Sequence, residues 1–88
     1  MAEGSKLEVH VVTPEQEVWA GDADMVVVTA DDGQLGVLPG HAPLLALLRE
    51  GPLKIVAGGT EVLAQVDSGF LHVANDRVEV LAEHAELQ

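Results

Sequence analysis

The residues that could do chemistry begin with four histidines, His10, His41, His72 and His84. A zinc site needs imidazoles or thiolates spaced so that they converge on one ion. No HxH, HxxxH or HExxH pattern occurs, and the chain has no cysteine. The histidines therefore read as separate solvated or hydrogen-bonded side chains. Gly33, Gly36 and Gly40 suggest a phosphate cradle, but a P-loop ends in Gly-Lys-Ser/Thr and opens a helix. Here Gly40 runs into His41, Ala42 and Pro43, so the glycines read as turn residues. Neighbouring carboxylates occur at Asp22/Asp24, Asp31/Asp32 and Glu15/Glu17. Acid–base catalysis requires one cleft that splits the pKa values of two such groups, whereas these acids flank turn signals. Ser5 and Ser68 are the only serines, and neither sits in a G-x-S-x-G elbow. Trp19 suits an interface anchor or a core position. These residues assemble no catalytic, metal or cofactor site.

The elements that must position these residues are short strands. Leu7, Val9 and Val11 alternate with Lys6, Glu8 and His10; Val62, Ala64 and Val66 alternate with Glu61, Leu63 and Gln65; Val78 and Val80 alternate with Arg77 and Glu79. Period two gives each segment one apolar face. Turn signals fall between the runs, among them Thr13-Pro14, Asp32-Gly33, Pro39-Gly40, Gly58-Gly59 and Asn75-Asp76. Gly58-Gly59 fits a two-residue hairpin. Strands are expected near 6–13, 17–23, 25–30, 34–38, 44–48, 53–57, 61–66, 69–74 and 77–81. The segment 44–50 contains good helix formers but is too short between Pro43 and Gly51, and reads as a strand. The segment 82–88 is helix-compatible. The expected class is all-β: a two-sheet sandwich or flattened barrel of about nine to ten short, mostly antiparallel strands.

Composition bounds the function classes. Eighty-eight residues make one small domain. The chain is 48% hydrophobic with only Trp19 and Phe70 as aromatics, so Val, Leu, Ile and Ala must build its core. Fifteen acids against four bases give a net charge of −11, and Lys6, Arg49, Lys54 and Arg77 are scattered singly. Nucleic-acid binding needs clustered cations, and the same charge disfavours adsorption to anionic lipid. No apolar run approaches the ~18 residues that span a bilayer. The polar, acidic N-terminus does not resemble a secretory signal, and the chain reads as cytoplasmic.

One stretch is more specific. Gly33-Gln34-Leu35-Gly36-Val37-Leu38-Pro39-Gly40-His41-Ala42-Pro43-Leu44-Leu45 closely resembles the G-E-L-G-I-L-P-G-H-A-P-L-L signature of bacterial F-type ATP synthase epsilon subunits. Val11-Val12-Thr13-Pro14-Glu15 with Val18-Trp19-Ala20-Gly21, and Ser68-Gly69-Phe70-Leu71-His72-Val73 with Asn75, Val78 and Val80-Leu81-Ala82, are similar to that family's opening and ending blocks. The resemblance implies a ten-strand sandwich over residues 6–82, preceded by a flexible N-terminus at 1–5. It implies that 83–88 is a tail where many relatives begin a helical hairpin. It further implies a non-catalytic rotor subunit that links the gamma subunit to the membrane rotor ring and couples catalysis to proton flow. The subunit would lie peripherally on the cytoplasmic face of the inner (plasma) membrane, with no lipid insertion, tightly bound nucleotide or cofactor.

Carried over position by position, the resemblance assigns Asp31, Asp32, Gly33, Gln34, Leu35, Gly36 and His41 to the rotor-ring contact. Thr13 and Ala46 fall to gamma, and Trp19 to structure. Gln34 stands where the family often has glutamate, which removes an ion pair there. Val56, Leu63 and Leu81 lie on the polar phase of their strands and are candidates for an exposed apolar patch, some of whose residues are expected to contact gamma. The competing reading is a generic acidic β-sandwich adaptor. It accounts for the alternation and the acidity but not for the three ordered blocks. A third reading, a small hydrolase or metal-binding barrel, lacks a ligand cluster.

Overall fold

The computed structural model describes residues 6–88. The five N-terminal residues, read above as flexible, lie outside them. The expected strands appear as β1 (Leu7–Val12), β2 (Glu17–Ala23), β3 (Met25–Ala30), β4 (Gly33–Val37), β5 (Leu44–Leu48), β6 (Gly51–Ala57), β7 (Thr60–Val66), β8 (Gly69–Ala74) and β9 (Arg77–Ala82), followed by β10 (Ala85–Leu87). The described residues contain no helix.

The helix-compatible C-terminal stretch is the main departure from local propensity. Ala85, Glu86 and Leu87 pair with Val66, Gln65 and Ala64 on the edge of β7. The His84 amide donates to the Asp67 carboxylate (3.0 Å), the Asp67 amide to the His84 carbonyl (3.2 Å), and the Gln88 amide to the Leu63 carbonyl (2.8 Å). An open strand edge offers backbone bonds that three residues of helix propensity cannot outweigh.

The strands run in the order β10-β7-β6-β3-β5-β8-β9-β1-β2, with β4 on β3. Two layers result. One contains β4, β3, β6, β7 and β10; the other contains β5, β8, β9, β1 and β2. A single pairing, Ala30 with Leu48, joins them, and β2 packs back over β6 and β10 on the far side. All pairings are antiparallel except β1 with β9. The inward residues of both layers make one aliphatic core around Leu7, Val9, Val26, Ile55, Leu71 and Val80, all fully buried. Trp19 lies against this core, its ring over Gly21. At the β8–β9 turn, Asn75 and Asp76 both take positive φ (52° and 60°), the conformation of a primed hairpin turn.

Candidate functional site

Period two turns Leu71 and Val73 of β8 into the core and leaves Phe70 and His72 outside. The same phase sets Leu45 and Leu47 of β5, Glu79 and Leu81 of β9, and His10 and Val12 of β1 on the outer face of the second layer. Register then converts alternation into rows. Leu47 lies opposite Phe70, Phe70 opposite Leu81, and Leu81 opposite Val12. An apolar row therefore crosses four strands. Leu47 is 53% exposed, Phe70 47% and Leu81 43%, with Leu45 beside them at 67%. Apolar side chains that fill a sheet's solvent face over a complete core mark a contact surface rather than a packing need. Covering what remains exposed would stabilise a complex by on the order of 1 kcal/mol per side chain.

The row borders a groove of about 630 Å³, whose lining includes Val12, Thr13, Asp31, Leu47, Phe70 and Leu81. Gly69 also lines it. A Cβ there would stand 1.9 Å from the Leu81 carbonyl oxygen, so any side chain would push β8 off β9. The Thr13–Gln16 turn forms one wall. The Thr13 amide donates to the Gln16 carbonyl (2.9 Å), and the Gln16 amide donates to the Thr13 hydroxyl (3.3 Å).

One step along the same strands the face turns charged. Leu45 lies opposite His72, His72 opposite Glu79, and Glu79 opposite His10. His10 is held on both sides: Nε2 lies 2.8 Å from Glu8 and Nδ1 2.8 Å from Glu17. Arg77 donates to Glu8 (3.0 Å) and lies 3.6 Å from Glu79. The hydrogen bond to Glu17, then that to Glu8, pushes the His10 imidazole above its ordinary value. In return, the His10 hydrogen bond and the Arg77 charge hold the Glu8 carboxyl below the usual carboxylate value. Among the described residues, no three His, Cys, Asp or Glu side chains converge on a metal position.

The residues assigned to the rotor ring divide between two places. Asp31, Asp32, Gly33 and Gln34 form the exposed tip of the β3–β4 hairpin, where Asp31 lies 3.5 Å from Arg49. Gly33 takes φ +119° there, whereas Gly36 lies in open space with no such constraint. Leu35 turns inward and packs on the core. His41 lies beyond the opposite end of β4, in a turn where its amide donates to the Leu38 carbonyl (3.1 Å). The adjacent Gly40 amide donates to Asp76 (2.7 Å). The two residues assigned to gamma also differ. Thr13 is nearly buried and lines the groove. Ala46 packs inward on the core, while its neighbours Leu45 and Leu47 face out.

The proposed apolar trio does not form one patch. Leu63 (42% exposed) and Leu81 are exposed and Val56 is half-buried, but Val56 and Leu63 lie on the outer face of the first layer and Leu81 on that of the second. Sequence reasoning missed Phe70 and Leu47 as partners of Leu81, and Glu8 and Glu17 as partners of His10. Polar–apolar phase along each strand marks these side chains as outward-facing but does not give their partners across strands, which register sets.

The sequence model of the ATP synthase delta/epsilon chain β-sandwich domain matches residues 6–88. The chain belongs to this family. Its relatives include the ATP synthase epsilon chain of Frankia casuarinae, 55% identical over 82 residues, a match covering 92% of this chain and 96% of that one. The epsilon chain of Thermobifida fusca is 50% identical over 91 residues, and the match covers 99% of this chain but 66% of its relative. A chain in the Euglena gracilis mitochondrial ATP synthase assembly of OSCP, F1 and c-ring superposes with a TM-score of 0.90 over 99% of this chain at 19% identity, covering 56% of that chain. The epsilon-type fold thus persists where few residues are shared. In this epsilon-type domain the signature at residues 33–45 runs from the β3–β4 hairpin tip, along β4 and through the His41 turn, into β5.

Proposed function

We propose that this epsilon-type domain is a non-catalytic rotor-side element of the F-type ATP synthase, joining the gamma subunit to the membrane rotor ring on the cytoplasmic face of the membrane. The observation that carries the reading is the apolar row Leu47–Phe70–Leu81–Val12 beside its groove. It gives a rigid sheet a flat contact with one partner, and it supports assigning gamma to this face, with Thr13 at its rim. The β3–β4 hairpin tip, projecting two carboxylates from a fixed turn, is the proposed ring contact. A torque contact needs a defined shape more than one strong bond, so Gln34 contributes little. His41 belongs to the turn beyond the opposite end of β4 and acts there by fixing the path of the chain. On this reading the domain itself neither hydrolyses ATP nor binds it tightly.

The test is reconstitution of the ATP synthase with this subunit, measuring proton pumping per ATP hydrolysed. Against a basic facing loop on the ring, Asp31→Lys with Asp32→Lys weakens coupling in low salt, and the effect shrinks as salt screens it. Unchanged coupling at every salt concentration, with the subunit still bound, would remove the hairpin tip from the ring contact.

A further inference from the structure

We propose that His10 is a proton-operated pin that fastens the edge strand β2 to β1 beside the docking groove. The inference rests on the reading of that face as the gamma contact only for its consequence; the pin itself is a property of this chain alone.

The geometry requires two donors. Neutral imidazole carries one N–H, and its other nitrogen accepts. Both His10 nitrogens face carboxylate oxygens at 2.8 Å, and ionised carboxylates only accept. Both contacts are hydrogen bonds only when the ring is imidazolium, and they are then charge-assisted. Loss of one proton breaks one contact and leaves a carboxylate facing a lone pair.

The contact to Glu17 matters most for structure. Among the described residues β2 pairs in the sheet only with β1, and the register between them shifts at Val11/Val12. Regular pairing therefore falters where Glu17 begins β2, and the side-chain bridge crosses the strands at that irregularity. Beyond it comes the Thr13–Gln16 turn, whose Thr13 and Pro14 line the groove with Val12. Releasing Glu17 loosens the wall of the groove, and loss of the imidazolium charge leaves that carboxylate uncompensated on the docking face.

Other charged groups set the direction. On β1, Glu8 faces the ring; on β2, Glu17. On β9, Glu79 is the register partner of His10 and Arg77 opposes protonation. On β8, His72 lies beyond Glu79, 3.4 Å from it. The carboxylates prevail and raise the ring above its ordinary value, so the pin, closed while the ring is protonated and the carboxylates ionised, opens as pH rises through that raised value.

The test uses the 88-residue chain. Proton NMR of the histidine rings gives the His10 midpoint, and amide hydrogen exchange gives protection factors along β2. The expected midpoint lies above the ordinary 6.5, and protection at Val18–Ala20 falls severalfold as pH passes through it. Glu17→Gln lowers the midpoint, and His10→Gln abolishes the pH step in protection. His72→Gln, which removes a histidine from the same face, leaves the step in place. A His10 midpoint at or below 6.5, or wild-type β2 protection that does not change with pH, overturns the pin. Binding to isolated gamma at each pH separates the two readings. Binding with no pH step in protection defeats the pin alone. A clear step without gamma binding at any pH defeats the docking assignment and leaves the pin standing.

Discussion

At the scale of single residues, two side-chain positions carry more than their size suggests. At Gly69 the backbone of β9 approaches β8 so closely that a Cβ would stand 1.9 Å from the Leu81 carbonyl oxygen. Gly69→Ala therefore forces the strands apart and costs about 3 kcal/mol or more. Urea denaturation reads this as a lowered midpoint with an unchanged m-value. Asp24 ties three segments together. It pairs with Lys6 before β1 and accepts from the Gly58 amide (3.0 Å) at the β6–β7 turn. The Lys6 hydrogen bond, then that from Gly58, holds its carboxyl below the ordinary 3.8. Because the folded value is depressed, this stabilisation is complete above the unfolded value and is lost as pH falls through the folded one. Asp24→Asn should lower the urea midpoint at neutral pH and flatten its decline in acid. A variant with the wild-type acid profile would show that Asp24 adds no pH-dependent stability. The sequence marked Asp24 only as one of a carboxylate pair with Asp22, because its partners lie 18 and 34 residues away.

At the scale of elements, the β3–β4 hairpin separates two glycines that the sequence treats alike. Gly33 sits at φ +119° and Gly36 in an ordinary extended strand with open space around it. Gly33→Ala should cost about 1–3 kcal/mol in strain. Gly36→Ala should leave stability unchanged or raise it by about 0.4–1 kcal/mol, by narrowing the unfolded ensemble. Urea denaturation distinguishes the two. In the reconstituted enzyme a bulky residue at position 36 then probes steric contact with a partner, since the hairpin itself is undisturbed. The strands were legible because alternation and turn residues are local signals, and nine of them fall close to where those two signals together place them. β10 was not legible. Its conformation comes from the free edge of β7, which overrides helix propensity in Ala85–Leu87.

At the scale of the whole molecule, the two outer faces of the sandwich must be told apart. Alternation identified Leu63 and Leu81 as apolar residues on polar phases, but phase does not say which layer each strand joins. The parallel pairing of β1 with β9 spans most of the chain. Only that pairing brings Val12 to Leu81 and His10 to Glu79, so neither the apolar row nor the charged belt could be assembled from local sequence. The family signature was legible from its ordered blocks, and residues 6–88 match the family. The central claim is that the gamma subunit docks on the face carrying Phe70 rather than on the opposite one. The most direct measurement is the affinity of isolated gamma for Phe70→Ala and for Leu63→Ala, by calorimetry at fixed pH and salt. Both residues are partly exposed to similar degrees, so both variants should fold. The expected result is a loss of about tenfold or more for Phe70→Ala and unchanged binding for Leu63→Ala. Wild-type affinity in Phe70→Ala together with weakened binding in Leu63→Ala would place the contact on the other layer and contradict the account.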